Sequence, residues 1–398
     1  MSKLQFTIAA IFSLLIVTIS CSKSDTAGTV TDPYTAIKAA FGTNIDPNSL
    51  ANYANQTKPA YIGTKDNTGA NPITNSKATV GRVLFYDKNL SIDNTISCGS
   101  CHKQQFAFSD IAVASNGVAG GTTARHSMRL INSRYAVETK FFWDERAATL
   151  EQQTTKPIQD HAEMGFSGQS GRPGIATLLT KLQGIGYYKE LFKFAYGDES
   201  VTEARMQECL AQFVRSIQSF DAKYDVGRAQ VANDGQPFPN FTAQENAGKQ
   251  TFLAPPVFNA AGVRTGGGAG CNGCHNAPEF DIDPNTRNNG IIGTIAGTGI
   301  DINVTRAPSL RDVANGAGVE NGPLMHTGNL ATLQNAIGHY NTINLAPGNT
   351  NLDPRLRPNG VGQQLNLTGA EMAGLVAFLK TLSGTNVYVD KKWSNPFL

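Results

Sequence analysis

The sequence predicts a mainly α protein made of two tandem modules joined and wrapped by long loops. Three observations carry this. Apolar residues recur at helical spacing in several stretches, and no run alternates as a half-buried strand would. A Cys-x-x-Cys-His motif occurs twice, at Cys98, Cys101, His102 and at Cys271, Cys274, His275. Each copy is followed by a long polar stretch and then a closing helical pattern. The 398 residues suffice for two or three domains, and 40% hydrophobic content suffices for packed cores. A net charge of +2 gives no pull toward nucleic acid or a strongly acidic partner.

The chain opens with Lys3 and an apolar run from Ile8 to Ile19, too short and wrongly flanked for a membrane span. It ends in Ser20-Cys21 before polar Ser22, Lys23, Ser24 and Asp25, which resembles a bacterial lipoprotein cleavage box. Residues 1–21 read as a lipoprotein-type signal peptide, and lipid on Cys21 would be the only membrane attachment. A plain secretory peptide is the alternative. Either places the mature protein in the periplasm or cell envelope. Residues 22–33, small and polar, read as a tether.

From Tyr34 the helical pattern begins. Over 202–220, Met206, Leu210, Phe213, Ile217 and Phe220 share one face, with Cys209 as a buried apolar neighbour. Thr242 with Glu245, and Thr368 with Glu371, form capping boxes; the second precedes Met372, Leu375, Val376 and Leu379. Residues 107–125, 254–270, 281–308 and 341–366 are loops of a length unusual in a compact domain. A large apolar cofactor would give them something to wrap. Gly227, Gly235, Pro237 and Pro239 mark a seam near 221–241. The modules are assigned to 34–225 and 226–385, with 386–398 as a C-terminal tail.

The chemistry lies in the repeated motif. Two Cys three positions apart on a helical turn face the same way and can form thioethers to the two vinyl groups of a haem. The adjacent His then points at the iron. Zinc is the competing reading of a CxxC pair, but the His placed directly after it and the export signal both favour covalent haem. His102 and His275 are the expected proximal ligands. Function then turns on the other face of each iron: a haem ligated on both faces relays electrons, and one with an open face can activate a small oxidant.

With these motifs in place, residues 77–385 resemble the bacterial di-haem cytochrome c peroxidases and the related MauG-type enzymes. The segments that match occur in the family order: GRVLFYDKNLS, CGSCH, FAFSD, RHSMRLIN, FFWDERAATLEQQ, KPI and HAEMGF, then RAPSLRDV, MHTG and TLQNAIGHY. The resemblance implies two cytochrome-c-like haem domains. The N-terminal haem would reduce peroxide, and the C-terminal haem would receive electrons from a small cytochrome c or copper protein. It implies that Trp143 lies between the haems, that Gln153 and Glu163 line the peroxide pocket, and that Arg125 and His326 hold the haem groups, His326 near a propionate. A partly buried Glu suits that pocket: one group must take a proton from the near oxygen of peroxide and return it to the far one. Gln153 would orient the peroxide. Outside these motifs Trp143 would read as a core aromatic, Glu163 as a surface residue and His326 as an ordinary loop histidine.

Two departures shape the expectation. The loop after the first motif has Asn116-Gly117 where the classical enzymes carry a capping His-Gly, so the N-terminal haem is expected to be open without reductive activation; His126 is the rival cap. In TLQNAIGHY the position of the classical Met ligand holds Tyr340, as in MauG-type enzymes, with His339 and Met325 as alternatives. The family's calcium is in doubt here, because His126 replaces an Asn and calcium wants oxygen; backbone carbonyls around Asn321 and Pro323 remain as donors. A homodimer is compatible with the resemblance. The expected activity is reduction of hydrogen peroxide to water. The alternatives are a MauG-type oxidase that modifies another protein through a high-valent bis-haem state, and a di-haem electron carrier without catalysis.

Overall fold

The computed structural model describes residue 1, residues 32–137 and residues 139–398. The signal-like run, the Cys21 anchor and nearly all of the tether lie outside these. Among the described residues no helix is long and apolar enough to cross a membrane.

The described residues are helix-rich, with four short strands among them. The first core forms where helix Asn75–Tyr86 crosses helix Glu203–Ser216. Thr74 and Thr202 cap their N-termini, each accepting the amide three residues on. Residues 78–85 of the first helix are buried without a break, because helices Gly186–Tyr196 and Glu203–Ser216 and the C-terminus cover it. The crossing is close: a methyl group at Gly81 would overlap the Cys209 carbonyl. Cys209 is fully buried, its sulfur 3.4 Å from the Tyr196 hydroxyl.

The helix expected over 202–220 ends at Ser216. Tertiary hydrogen bonds outcompete its last turn. The Ile217 carbonyl accepts the Asn132 amide at 3.0 Å. The Asn132 side chain brackets Ser219, accepting its N–H at 2.8 Å and donating to its carbonyl at 3.1 Å. Phe220 therefore leaves the helical face and packs against Tyr135 at 5.3 Å.

The second core repeats the device. Helices Ala243–Leu253 and Gly369–Lys380 cross where a methyl group at Gly248 would overlap the Gly374 carbonyl. Both begin with the expected capping boxes, Thr242 with Glu245 and Thr368 with Glu371. Helix Leu333–Asn341 packs on the second of them. Tyr224, Phe238, Phe252, Phe280 and Phe378 fill the centre. Strand Pro256–Phe258 pairs antiparallel with Arg264–Gly267, and His275–Asn276 with Asp281–Ile282.

The two cores change over between Ile217 and Ala222. The stretch 221–241 is no loose linker, since Tyr224 and Phe238 are buried in the second core. The last residues return to the first: Val387 and Trp393 are buried there, and Tyr53, Tyr86 and Arg82 donate to the carbonyls of Lys392, Trp393 and Ser394.

Gly248→Ala is expected to lower stability by about 1–3 kcal/mol through overpacking at the crossing. Gly338→Ala, at a helical position with nothing near its missing Cβ, should be neutral or stabilising by roughly 0.5–1 kcal/mol. Urea unfolding of the two variants measures both; equal midpoints would show that the crossing tolerates a side chain.

Candidate haem and peroxide sites

The first motif sits on a single helical turn, Cys98–Cys101, opened by Ser97, whose amide donates to the Ser100 hydroxyl at 3.0 Å. His102 follows as the C-cap. The chain then reverses through Ala107 and Phe108, both in the left-handed region at φ 55° and 58°, and closes with the Lys103 amide on the Ser109 carbonyl at 2.9 Å. This turn brings the Phe108 carbonyl to 3.1 Å from His102 Nδ1. Nδ1 then carries the proton and Nε2 is left as the acceptor, the arrangement a metal-bound imidazole needs. Burial lowers the His102 pKa and keeps the ring neutral.

The second motif lines a cavity of about 590 Å³. Cys271, Cys274 and His275 meet there with Phe252, Leu310, Val313, Leu375 and Leu379, and segments of the loops 254–270, 281–308 and 341–366 complete the wall. Burial pushes the His275 pKa down to about 4, partly offset by the Phe280 and Pro308 carbonyls. Its Nδ1 is buried without a hydrogen bond. Among the described residues no three His, Cys, Asp or Glu side chains gather as a zinc ion or a carboxylate-bound calcium would require. Paired cysteines beside a buried neutral imidazole, with a large apolar cavity at the second motif, fit a covalently held haem.

Of the three candidates for the other axial position, two line this cavity, Tyr340 and Met325. The Asn289 amide donates to both, 3.1 Å to the Met325 sulfur and 3.3 Å to the Tyr340 oxygen. Burial raises the Tyr340 pKa well above the ordinary range, so it is a neutral phenol unless a cation faces it. His339 is not in the lining; its Nε2 lies 2.9 Å from the Asn289 carbonyl.

On the peroxide side, Gln153 belongs to the short helix Leu150–Thr154, capped by Thr149. Its amide makes no side-chain hydrogen bond within the described residues. Glu163 is half-buried in a turn built on Asp160, whose carboxylate accepts the amides of Ala162 and Glu163 at 2.8 and 3.1 Å. Among the described residues the Glu163 carboxyl itself has no hydrogen bond or ion pair. Burial first, then the Asp160 charge, raise its pKa to about 7, against a smaller opposing pull from Arg146. The Asn116 loop docks on this segment: the Val118 amide donates to the Glu163 carbonyl at 3.0 Å, and a methyl group at Gly117 would overlap the Ala162 carbonyl. No imidazole comes with the loop. His126 is turned elsewhere, its Nδ1 3.0 Å from the Ala112 carbonyl and its Nε2 3.4 Å from the Ser109 hydroxyl, beside the turn that serves His102.

Trp143 stands in the wall of the second cavity. Its indole N–H donates to the His126 carbonyl at 2.7 Å, and its ring centroid lies 6.2 Å from that of His326. His326 Nε2 is 2.9 Å from the Gly293 carbonyl, and its Nδ1 is buried without a partner. Arg125 does not reach the cavity lining. Its guanidinium is held by Asp301 at 2.7 and 3.2 Å and by Asp144 at 2.8 Å. The Asn321 amide donates to the Asp312 carbonyl and the Tyr388 hydroxyl.

Two residues of this site were missed in the sequence. Asn289 lies in a polar loop with no periodicity to single it out. Arg129, four positions after Arg125, lines the second cavity although it belongs to the first half of the chain. The one available signal was a second arginine within RHSMRLIN, too short and irregular a segment to say which arginine points inward.

Residues 75–232 match the profile of the family described as di-haem cytochrome c peroxidase. The methylamine utilization protein MauG of Methylophilus methylotrophus is 30% identical over 79% of this chain and 84% of its own length. The cytochrome c551 peroxidase of Nitrosomonas europaea is 27% identical over 77% and 80%. Among solved structures, a MauG-like protein associated with microbial copper homeostasis superposes with a TM-score of 0.65 at 28% identity, covering 86% of this chain and 99% of that one. A variant of the diheme peroxidase BthA of Burkholderia thailandensis shares the fold, with a TM-score of 0.61 at 21% identity over 79% and 88%. With this level of identity across most of both chains, the protein belongs to the di-haem cytochrome c peroxidase family that includes MauG.

Proposed function

We propose that the protein reduces hydrogen peroxide to water at the haem held by Cys98, Cys101 and His102. The observation that carries this reading is the Glu163 carboxyl: unpartnered, half-buried, and with its pKa raised to about 7 beside the loop that offers Asn116 in place of a capping imidazole. The haem supplies a redox-active iron able to bind the oxidant. Glu163 supplies the proton shuttle, taking a proton from the near oxygen and returning it to the far one. Its pKa near the working pH suits both directions. Gln153, with its amide uncommitted, orients the peroxide. The Phe108 carbonyl holds His102 in the tautomer that ligates.

Cys271, Cys274, His275 and Tyr340 would hold the second haem, which would supply electrons, and Trp143 in the same cavity wall would lie on the path between the two. Two cytochrome-c-like domains thus divide the work, one for peroxide and one for electrons. The name of the Nitrosomonas relative supports a small cytochrome as the donor, and a copper protein serves the same role. Export to the periplasm with lipid on Cys21 rests on the N-terminal sequence. The second reading, a MauG-type oxidase acting on another protein, is favoured by Tyr340 in the cavity lining and by the MauG relatives. Turnover of peroxide with a reduced small cytochrome, against oxidation of candidate proteins without one, decides between the two.

Glu163→Gln should lower peroxide turnover roughly 100-fold or more while both haems stay attached. The carboxylate form does the first step, so wild-type activity should rise as pH increases through about 7, and the variant should lose that limb. A pH–rate profile unchanged by the substitution would remove Glu163 from the reaction. The same shift makes the protonated form the better folded one, so this contribution to stability is complete below the unfolded carboxyl's pKa and fades as pH rises through about 7.

As isolated, the oxidised protein should show one high-spin and one low-spin haem by electron paramagnetic resonance and turn over peroxide without prior reduction. Two low-spin haems would contradict an open first site. Tyr340→Phe should change the low-spin signal alone; a signal left intact would return the assignment to Met325.

A further inference from the structure

Arg129 is a half-buried cation that forms no ion pair among the described residues. It lines the second cavity together with Cys271, Cys274 and His275. Its only hydrogen bond among the described residues is a long one, 3.4 Å from Nη2 to the Ser309 carbonyl, and its Nε is buried with no partner. It makes no ion pair there. The acid whose charge acts on it, Asp312, forms no ion pair with it: Oδ1 accepts the Gly384 amide at 2.9 Å and the Tyr388 hydroxyl at 3.2 Å, and Oδ2 is buried without a partner. Desolvation outweighs the pull of Tyr388 and Asp312 and lowers the Arg129 pKa to about 10.

The other arginines of the lining differ. Arg355 is paired with Asp353 and Asp283. Arg306 donates to the Lys140 carbonyl and lies over the Phe141 ring. Arg287 is exposed to solvent. A guanidinium in an apolar wall is stable only if an anion joins it, because burying an unpaired charge costs more than any neutral contact returns. Arginine also presents a planar fork that matches a carboxylate. Among the described residues no carboxylate pairs with Arg129, and a haem held in this cavity would carry two.

We propose that Arg129 is the counter-cation of a porphyrin carboxylate in the second cavity, and that by pairing with it Arg129 holds the reduction potential of the second haem up. The inference rests on the second CxxCH holding a haem. The sign follows from electrostatics. Reduction adds an electron beside an anionic carboxylate, and a guanidinium on that carboxylate cancels the repulsion. Its removal leaves the negative charge uncompensated in a low-dielectric site and favours the oxidised iron. Because Arg129 comes from the first half of the chain, the residue that tunes the electron-receiving haem is carried by the module proposed to hold the peroxide haem. Arg125, the arginine singled out by motif, is spent on Asp144 and Asp301 instead.

The experiment is a spectroelectrochemical titration of the full holoprotein as wild type, Arg129→Met and Arg129→Lys. The Met variant should shift the second haem to lower potential by at least tenfold in the equilibrium constant for reduction, about 59 mV for one electron, with the first haem unmoved. The Lys variant should recover most of that shift. A second-haem potential unchanged in Arg129→Met, an equal shift of both haems, or a Lys variant no better than Met would overturn the proposal. A wild-type haem content of one per chain would overturn the reading beneath it, so the two failures are told apart before any potential is compared.

Discussion

The backbone of His126 is the interaction on which the rest of the structure depends. Its N–H donates to the His326 carbonyl and its carbonyl accepts the Trp143 indole N–H, both at 2.7 Å. One residue thus joins, through its two flanking peptides, the loop after the first CxxCH, the FFWDER turn and the MHTG segment of the second half. Around it, the Trp143 carbonyl accepts the amides of Thr305 and Arg306, and Arg125 binds Asp301. These bonds lie in a half-buried seam where water competes poorly, so each is costly to leave unmade. They fix an aromatic side chain in the wall between the two halves without any regular secondary structure at the junction.

Burial, more than any specific charge, sets the chemistry of the side chains at these sites. It leads the causes of the shifts at His102, His275, Glu163, Tyr340 and Arg129. In each case the neutral form gains. For the histidines that is the form that ligates. For Glu163 it yields a carboxyl poised near neutrality. For Arg129, whose pKa remains far above working pH, the ring of apolar neighbours cannot remove the charge and leaves it in want of an anion.

The parts of the fold legible in the sequence are those that repeat a local rule. CxxCH states its own geometry, and the Thr-x-x-Glu boxes at 242 and 368 mark helix starts because their hydrogen bonds are made within four residues. The parts that were not legible depend on residues far apart. The 203–216 helix stops short because Asn132, more than 80 positions away, takes its last carbonyls. The C-terminal residues look like a tail until Trp393 is seen inside the first core, its indole 3.3 Å from the Ser216 hydroxyl. Which of Arg125 and Arg129 faces a cavity is decided by irregular backbone, where neither helical nor strand period applies. The ligand candidates Tyr340 and His339 are adjacent in sequence, yet Tyr340 lines the cavity and His339 does not, and Asn289 donates its amide to the first and turns its carbonyl to the second.

Arg146 opposes the raised pKa of Glu163, and it is itself bound to Asp144, the same carboxylate that accepts from Arg125 of the seam. A chain of charges therefore runs from Arg146, whose charge reaches Glu163, through Asp144 and Arg125 to Asp301 in the second half. Arg146 is 44% exposed, so its field is screened at physiological salt, where the Debye length is about 8 Å. The larger cause, desolvation of the carboxyl, is not screened at all. The Glu163 carboxyl is thus held near neutrality by packing that salt does not reach, while the charges that join the halves can rearrange without resetting it.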